Sequence, residues 1–230
     1  MKIAVLGLPD FSLGKKNLID ERLTTLEPLV KPSKTTYITL EFLEPANLKE
    51  ADGIICEKAS ALDLIIQDIE TVENYIERLK EGEDARFFLR VKEILEKNKC
   101  LCQENFSEEE RKLLFNYNFV SIKPTYFVDK NDNKSAQEII YDGYYAFGML
   151  CFVTGAKDKE LKAWPIKKGA TAFDAAGVIH SAIQKKFIKA EIIGYDDVLK
   201  AGGLAQAKQY MHLEGREYIM QDADLLNVRT

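Results

Sequence analysis

The sequence predicts an α/β protein of two regions, with a helical hairpin set into the first. Three observations carry this reading. Short apolar strands separated by turn residues occupy Lys2 to Cys56, and apolar residues then recur at threes and fours from Ala61 to Tyr117. The last third mixes strand-like and helix-like periods around the turn Lys167-Lys168-Gly169. A period of two marks a half-buried strand, and a period near 3.6 marks an amphipathic helix. At 230 residues, 46% hydrophobic and 30% charged, the chain is long enough for one large core or two modest ones.

Taken in order, Lys2 to Leu6 is an apolar strand running into Gly7. A short helix opens at Asp20, an N-cap type, carries Leu23 and Leu26 inward and stops near Pro28. Thr36 to Phe42 alternates as a half-buried strand, and Gly53 to Cys56 is a short buried one. Leu62, Ile65, Ile69, Val72, Ile76 and Leu79 then mark one face of a helix through Arg78. "EGED" at 81 to 84 breaks it, and Phe88, Val91 and Leu95 mark a second helix, so the two form an antiparallel hairpin. Ser107 to Glu110 is a capping box opening a third helix with Leu113, Leu114 and Tyr117 inside. Extended structure returns at Asn118 to Val128, where Pro124 points to an edge or interrupted strand.

"DKNDNKSAQE" at 129 to 138 is polar and turn-rich, the best linker candidate. Ile139 to Phe152 is aromatic-rich and reads as buried. A strand at Leu161 to Ile166, a helix from Thr171 and a strand at Phe187 to Ile193 then describe a β-grasp domain. On that helix Phe173, Ala176, His180, Ile183 and Phe187 share a face, so His180 reads as core, as does Trp164 at a strand centre. The expected organisation is an α/β domain from 1–58 and 118–135, a helical arm at 59–117 and a β-grasp domain at 136–230.

Charge separates the regions as well. Glu41 to Asp84 holds thirteen acids against four bases, whereas Lys157 to Lys189 holds eight lysines against Asp158, Glu160 and Asp174. Two oppositely charged regions within a net charge of −5 imply different neighbours for each. No apolar run is long enough to cross a bilayer and the start lacks signal-peptide features, so a cytoplasmic protein is expected. Cys56, Cys100, Cys102 and Cys151 form no C-x-x-C or zinc-type spacing and read as reduced thiols.

The stretch "MKIAVLGLPDFSLGKKNLIDERL" begins as a phosphate-binding loop begins, with a strand, Gly7, and a Gly14-Lys15 pair. A loop of the form G-x-x-x-x-G-K-[ST] has four residues between its glycines and a hydroxyl after its lysine. Here six residues intervene and Lys16 replaces the hydroxyl. Three readings stay open for Gly7, Gly14, Lys15 and Lys16: a vestigial nucleotide loop, a looser anion nest at a helix N-terminus, or a tight turn joining the first strand to the next helix.

The tail from Lys162 to Leu226 resembles the C-terminal TGS domain of the YchF (Obg-like ATPase) family. Ala163-Trp164, Lys168-Gly169, Ala175 to His180, Phe187 to Ile192, Tyr195 to Asp197, Gly203, Ala207-Lys208 and Leu213-Glu214-Gly215 through Asp224 match its pattern in order. The front is similar in fragments: "GLP" at 7 to 9, Asp20 to Leu23, "VKP" at 30 to 32, "EFLEPANL" at 41 to 48 and "NFVSIKPTYFV" at 118 to 128. The resemblance implies a reduced P-loop GTPase-like α/β domain with an inserted helical hairpin arm and a C-terminal β-grasp, ubiquitin-like TGS domain.

Departures fall where the family does its chemistry. The chain skips the segment between Lys16 and Asp20 that carries switch I, Glu44-Pro-Ala-Asn47 replaces the D-x-x-G of switch II, and Asp129 to Asp132 gives no clean base-reading N-x-x-E. Phosphoryl transfer depends on the joint placement of these parts. The expectation is therefore a degenerate nucleotide site with no resident cofactor, in a non-catalytic protein. The alternative is an active, or binding-only, ATPase or GTPase using ATP or GTP with Mg²⁺.

The resemblance further implies RNA, the ribosome or a translation-associated protein as partner, with no membrane and no DNA specificity. Lys167, Lys168, Lys185, Lys186 and Lys189 flank the helix ends and are the candidate contacts, unless they form only a solvated face. With no arginine in that run, recognition would follow shape or backbone rather than base edges.

Overall fold

The computed structural model describes residues 1–79 and 82–230, so Glu81 of the expected EGED break lies outside the described residues. Strand β1 (Lys2–Leu6) leads by a loop into β2 (Gly14–Leu18), followed by α1 (Glu21–Val30), β3 (Lys34–Thr36), β4 (Ile38–Leu43) and β5 (Gly53–Glu57). Helices α2 (Ala61–Arg78), α3 (Glu83–Glu96) and α4 (Glu108–Asn116) precede β6 (Thr125–Val128) and α5 (Ala136–Ala146). Then come β7 (Met149–Thr154), β8 (Glu160–Lys167), α6 (Ala172–Ile179), α7 (Ser181–Lys185) and β9 (Lys189–Ile193). The chain closes with α8 (Tyr195–Ala201), α9 (Leu204–Ala207), β10 (His212–Glu214) and β11 (Asp224–Arg229). Among the described residues no helix is long and apolar enough to cross a membrane.

The described strands form a five-stranded sheet of order β2-β4-β1-β5-β6 and a six-stranded sheet of order β10-β9-β11-β7-β8-β3. In the first, β4, β1, β5 and β6 are parallel, with Ile3 opposite Phe42 and Gly53, and Ile54 opposite Thr125. Strand β5 is buried at every position, as a parallel strand covered on both faces must be. The expected single strand from Thr36 to Phe42 divides at Tyr37. Its first part, β3, pairs with β8, with Lys34 opposite Glu160, and its second, β4, pairs with β1. Alternation reads correctly along Ile38, Leu40 and Phe42, but sequence pattern does not say which partner each half finds.

The chain folds as two compact units, Met1–Lys16 with Leu40–Phe147, and Asn17–Thr39 with Gly148–Thr230. The first holds a core in which Ile54, Cys56, Leu64, Val72, Phe88, Val91, Leu95, Leu114 and Phe119 come together. Each such fully buried side chain contributes about 1.5–3 kcal/mol. Two of its polar members are satisfied internally. The fully buried Asp68 on α2 accepts from the Val120 and Ser121 amides, both at 2.8 Å, tying α2 to the segment before β6. The Lys123 ammonium donates to the carbonyls of Leu48, Lys49 and Ala51 at 2.7–2.8 Å. Helix α4 opens on the expected capping box, Ser107 accepting from the Glu110 amide and Glu110 from that of Ser107.

Two differences from the sequence reading concern the segments between elements. The 129–138 stretch is not the boundary between units: Ser135 caps α5, which belongs to the first unit, and the chain crosses at Phe147-Gly148. Residues 17–39 group with the C-terminal unit instead of the N-terminal one, because β3 extends its sheet and α1 packs on β8 and α8. Within α1 the chain runs through Pro28 to Val30 before Lys31 turns left-handed (φ 54°), and burial of Val30 rewards the extra turn.

In the second unit, α6 and β9 build a core around Phe152, Ile166, Ala176, Phe187 and Ile192. Trp164 is half-buried, stacks on Phe152 (6.4 Å between centroids, 11°) and donates from Nε1 to Thr154 Oγ1 at 2.9 Å. His180 is not a core residue. The helix breaks there (φ −170°, ψ 138°), and its exposed ring accepts at Nδ1 from the Ala182 amide, capping α7. A continuous helical period across 173–187 hid that break.

Candidate functional site

In the first sheet the chain leaves β1 for β4 on one side and later takes up β5 on the other, so β1 and β5 flank a topological switch point. Parallel α/β sheets offer ligands a crevice beyond the carboxyl ends of their strands at such a point. A cleft of about 330 Å³ lies there, between the loop after β1 (Gly7 to Phe11) and the segment after β6 (Val128 to Lys134), with Ala136 and Ile139 of α5 behind.

Gly7 begins the first loop at φ +75°, a conformation that side chains resist. A Cβ on it would lie 2.3 Å from Ser60 Oγ and 2.8 Å from Glu57 Cβ. Its glycine identity thus follows from close packing on the segment after β5, without reference to a phosphate. Beneath that segment Glu57 is buried and pairs with Lys130 at 3.1 Å, while Lys58 pairs with Asp129 at 3.1 Å. The Asn131 amide and Lys58 hold the Asp129 carboxyl below its ordinary range. Lys134 donates to Asp142 and to the Tyr126 hydroxyl, each at 2.8 Å; these bonds raise the lysine's pKa and lower that of Asp142. Every lysine around the cleft is therefore held by a carboxylate of the protein, and Asp10 adds a further negative charge.

Gly14, Lys15 and Lys16 are not in this cleft. They begin β2, the edge strand two places from β1, roughly 10 Å away at ordinary strand spacing. Lys16 bonds Ser12 Oγ at 2.5 Å, and no helix begins until Glu21. The helix-terminal nest and the tight turn onto a helix both require a helix directly after Lys16, where β2 continues instead. Of the four residues singled out in the sequence, Gly7 lines the crevice and Gly14, Lys15 and Lys16 do not, and the lysines that line it, Lys130 and Lys134, pair with Glu57 and Asp142. Among the described residues, no group of three or more His, Cys, Asp or Glu side chains is placed to hold a metal ion.

The five candidate lysines of the second unit are exposed, and the fold separates them. Lys167 ends β8 opposite Met149, at the start of β7, with Lys168 beside it. Lys189 begins β9 opposite Arg229, at the end of β11, and β11 runs parallel to β7 with Leu225 opposite Val153. Lys167 and Lys189 thus stand at opposite ends of the sheet, roughly 25 Å apart along the strands. Lys185 and Lys186, four and three residues before Lys189, lie at its end. Of the thiols, burial pushes Cys56 and Cys100 up to about 12, which leaves them unreactive.

Sequence reading placed the family's base-reading position at Asp129 to Asp132, but missed the cleft residues Asp10 and Lys134 and the pairing of Lys130 with Glu57 and of Lys134 with Asp142. The available signal was the position of 129–134 directly after a parallel strand, where polarity marks a site as readily as a linker.

These features define a mixed α/β protein of two sheets, the first an open sheet whose β4, β1, β5 and β6 run parallel, with a cleft at its switch point. The YchF-GTPase_C family, "Protein of unknown function (DUF933)", matches residues 149–230. "Ribosome-binding ATPase YchF" of Bacillus subtilis is 26% identical over 327 aligned residues, covering 96% of this chain and 89% of the relative. The protein of the same name from Haemophilus influenzae is 26% identical over 314, covering 91% and 86%. Both alignments are longer than this chain, so the relatives carry internal segments it lacks. The Mycoplasma genitalium relative is 36% identical over 109 residues, 45% of this chain and 29% of its own length. In fold, the chain is similar to the Schizosaccharomyces pombe YchF GTPase, with a TM-score of 0.78 and 18% identity over 100% of this chain and 97% of that one. Residues 149–230 match that family, and the chain as a whole is similar to YchF proteins in sequence and fold.

Proposed function

We propose that this chain is a non-catalytic YchF-family protein that docks on RNA, the ribosome or a translation-associated protein. In this reading α2 to α4 form the arm inserted in the first unit, and the second unit is a TGS-like β-grasp module completed by residues 17–39. The observation that carries it is the placement of Gly14, Lys15 and Lys16 on an edge strand, outside the cleft at the switch point. The names of the relatives, ribosome-binding ATPases, support the partner class.

Calorimetric titration with ATP and with GTP, each with and without Mg²⁺, tests the first half. No magnesium-dependent heat is expected, and Lys15→Ala changes nothing. Turnover abolished by Lys15→Ala refutes it in favour of an active hydrolase. The cleft of about 330 Å³ favours a second reading, nucleotide binding without hydrolysis, which predicts magnesium-independent heat that Lys130→Ala weakens.

Ribosome co-sedimentation tests the partner. Neutralising Lys167, Lys168, Lys185 and Lys186 together is expected to weaken association and reduce its salt dependence. Because the pairs stand at opposite ends of a sheet, each pair alone should account for its own share. Unchanged association in the fourfold variant removes these lysines from the contact.

A further inference from the structure

The second unit contains a cavity with no part in the reading above. It lies on the face of the β9–β11 ladder beneath α9, with a volume of about 320 Å³. Leu225 and Ile193, opposite each other in the ladder, form its strand side, while Leu204 and Met211 close it from the following segment. All four are aliphatic or thioether side chains. No aromatic ring lines the cavity to offer the stacking surface a nucleobase uses.

The polar rim is biased to one sign. Glu191 is the acid that lines it, and both of its oxygens are occupied by the protein: Asn227 Nδ2 donates to Oε2 at 2.5 Å and Arg229 Nε to Oε1 at 2.6 Å. Those bonds, and the nearby charges of Arg229 and Lys208, hold its carboxyl below the ordinary range, so it stays charged. Lys159 and Lys208 remain as rim cations with no ion pair among the described residues. The backbone fixes Lys159 on both sides, its amide donating to Ala156 at 3.1 Å and its carbonyl accepting from the Ser33 amide at 2.9 Å.

We propose that this cavity binds a small aliphatic anion, a carboxylate on a hydrocarbon body, with the chain against Ile193, Leu204, Met211 and Leu225 and the charge between Lys159 and Lys208. Lysine ammonium groups act as point charges and suit a single anionic head without demanding the planar fork that arginine supplies. Methionine adapts to an alkyl chain of variable shape. This site is independent of the nucleotide question in the first unit.

Octanoate is the probe, titrated into the full chain carrying ¹³C-methyl methionine. A saturable shift of the Met211 methyl is expected with octanoate and not with octylamine or adenosine monophosphate. Lys159→Ala with Lys208→Ala should weaken binding about fivefold, as expected for two exposed charge contacts. Leu204→Trp, which fills the cavity, should abolish it while the remaining methyl shifts stay native. The proposal is overturned by no saturable shift at millimolar octanoate, by equal binding of octylamine, by tighter binding of the nucleotide, or by unchanged affinity in the double lysine variant.

Discussion

The two glycines of the N-terminal stretch, equivalent in a phosphate-loop reading, should respond differently to the same substitution. At Gly7 an alanine meets two penalties. Its φ of +75° costs a Cβ-bearing residue about 1–2 kcal/mol. The added methyl also lies 2.3 Å from Ser60 Oγ and 2.8 Å from Glu57 Cβ, where Glu57 is buried and cannot withdraw freely. Overpacking of this kind adds about 1–3 kcal/mol, so Gly7→Ala should destabilise the first unit by about 2–5 kcal/mol. Gly14→Ala has the strained φ of +89° but nothing within 4 Å, and should cost only about 1–2 kcal/mol.

Urea unfolding of the full chain, with amide exchange at Ile54, Ile55 and Cys56 reporting the first unit, measures both. Ser60→Gly supplies a control. Ser60 makes no capping hydrogen bond to α2, so its loss is nearly neutral alone and should recover about 1–2 kcal/mol of the Gly7→Ala deficit. Equal losses at Gly7 and Gly14, or no rescue by Ser60→Gly, would refute the packing account of Gly7.

Asp68→Ala strands the Val120 and Ser121 amides and should cost about 2–6 kcal/mol, read by thermal or urea unfolding; a loss under 1 kcal/mol means those donors find other partners. In the second unit, burial works to raise the Asp20 carboxyl, but Arg22, with Nη2 at 2.7 Å, holds it below its ordinary value of 3.8. Its contribution is therefore present above about pH 3.8 and lost as pH falls through the lower folded value. Arg22→Gln should cost about 3–5 kcal/mol at neutral pH and move acid unfolding of this unit upward; an unchanged acid midpoint counts against the pair. His180→Ala, removing a cap, should cost about 0.5–2 kcal/mol, and a loss above 3 kcal/mol would mean the ring supports the core after all.

Much of the fold was legible because local periodicity and capping chemistry act over a few residues. The boundaries of α2, the capping box of α4 and the strand–turn–helix run from β8 to α6 follow from side-chain spacing that solvent alone rewards or penalises. The tail motifs pointed to the YchF family for the same reason, since they are contiguous. The edge strand β2 was not legible: "GKKNL" is too polar to read as a strand, and it becomes one only because β4 offers it a ladder. His180 shows the opposite error, a position with perfect helical period whose backbone leaves the helix.

The sequence by itself determined that this chain is an α/β protein resembling the YchF family and that its phosphate-binding motif is out of register, because both are properties of neighbouring residues. Only the tertiary structure decided that Gly14-Lys15-Lys16 lie away from the crevice and that the 129–134 segment lines it. It also set the two groups of tail lysines at opposite ends of a sheet. Pairing between strands distant in the chain fixes each of these, and no local pattern encodes which distant partner a strand will choose.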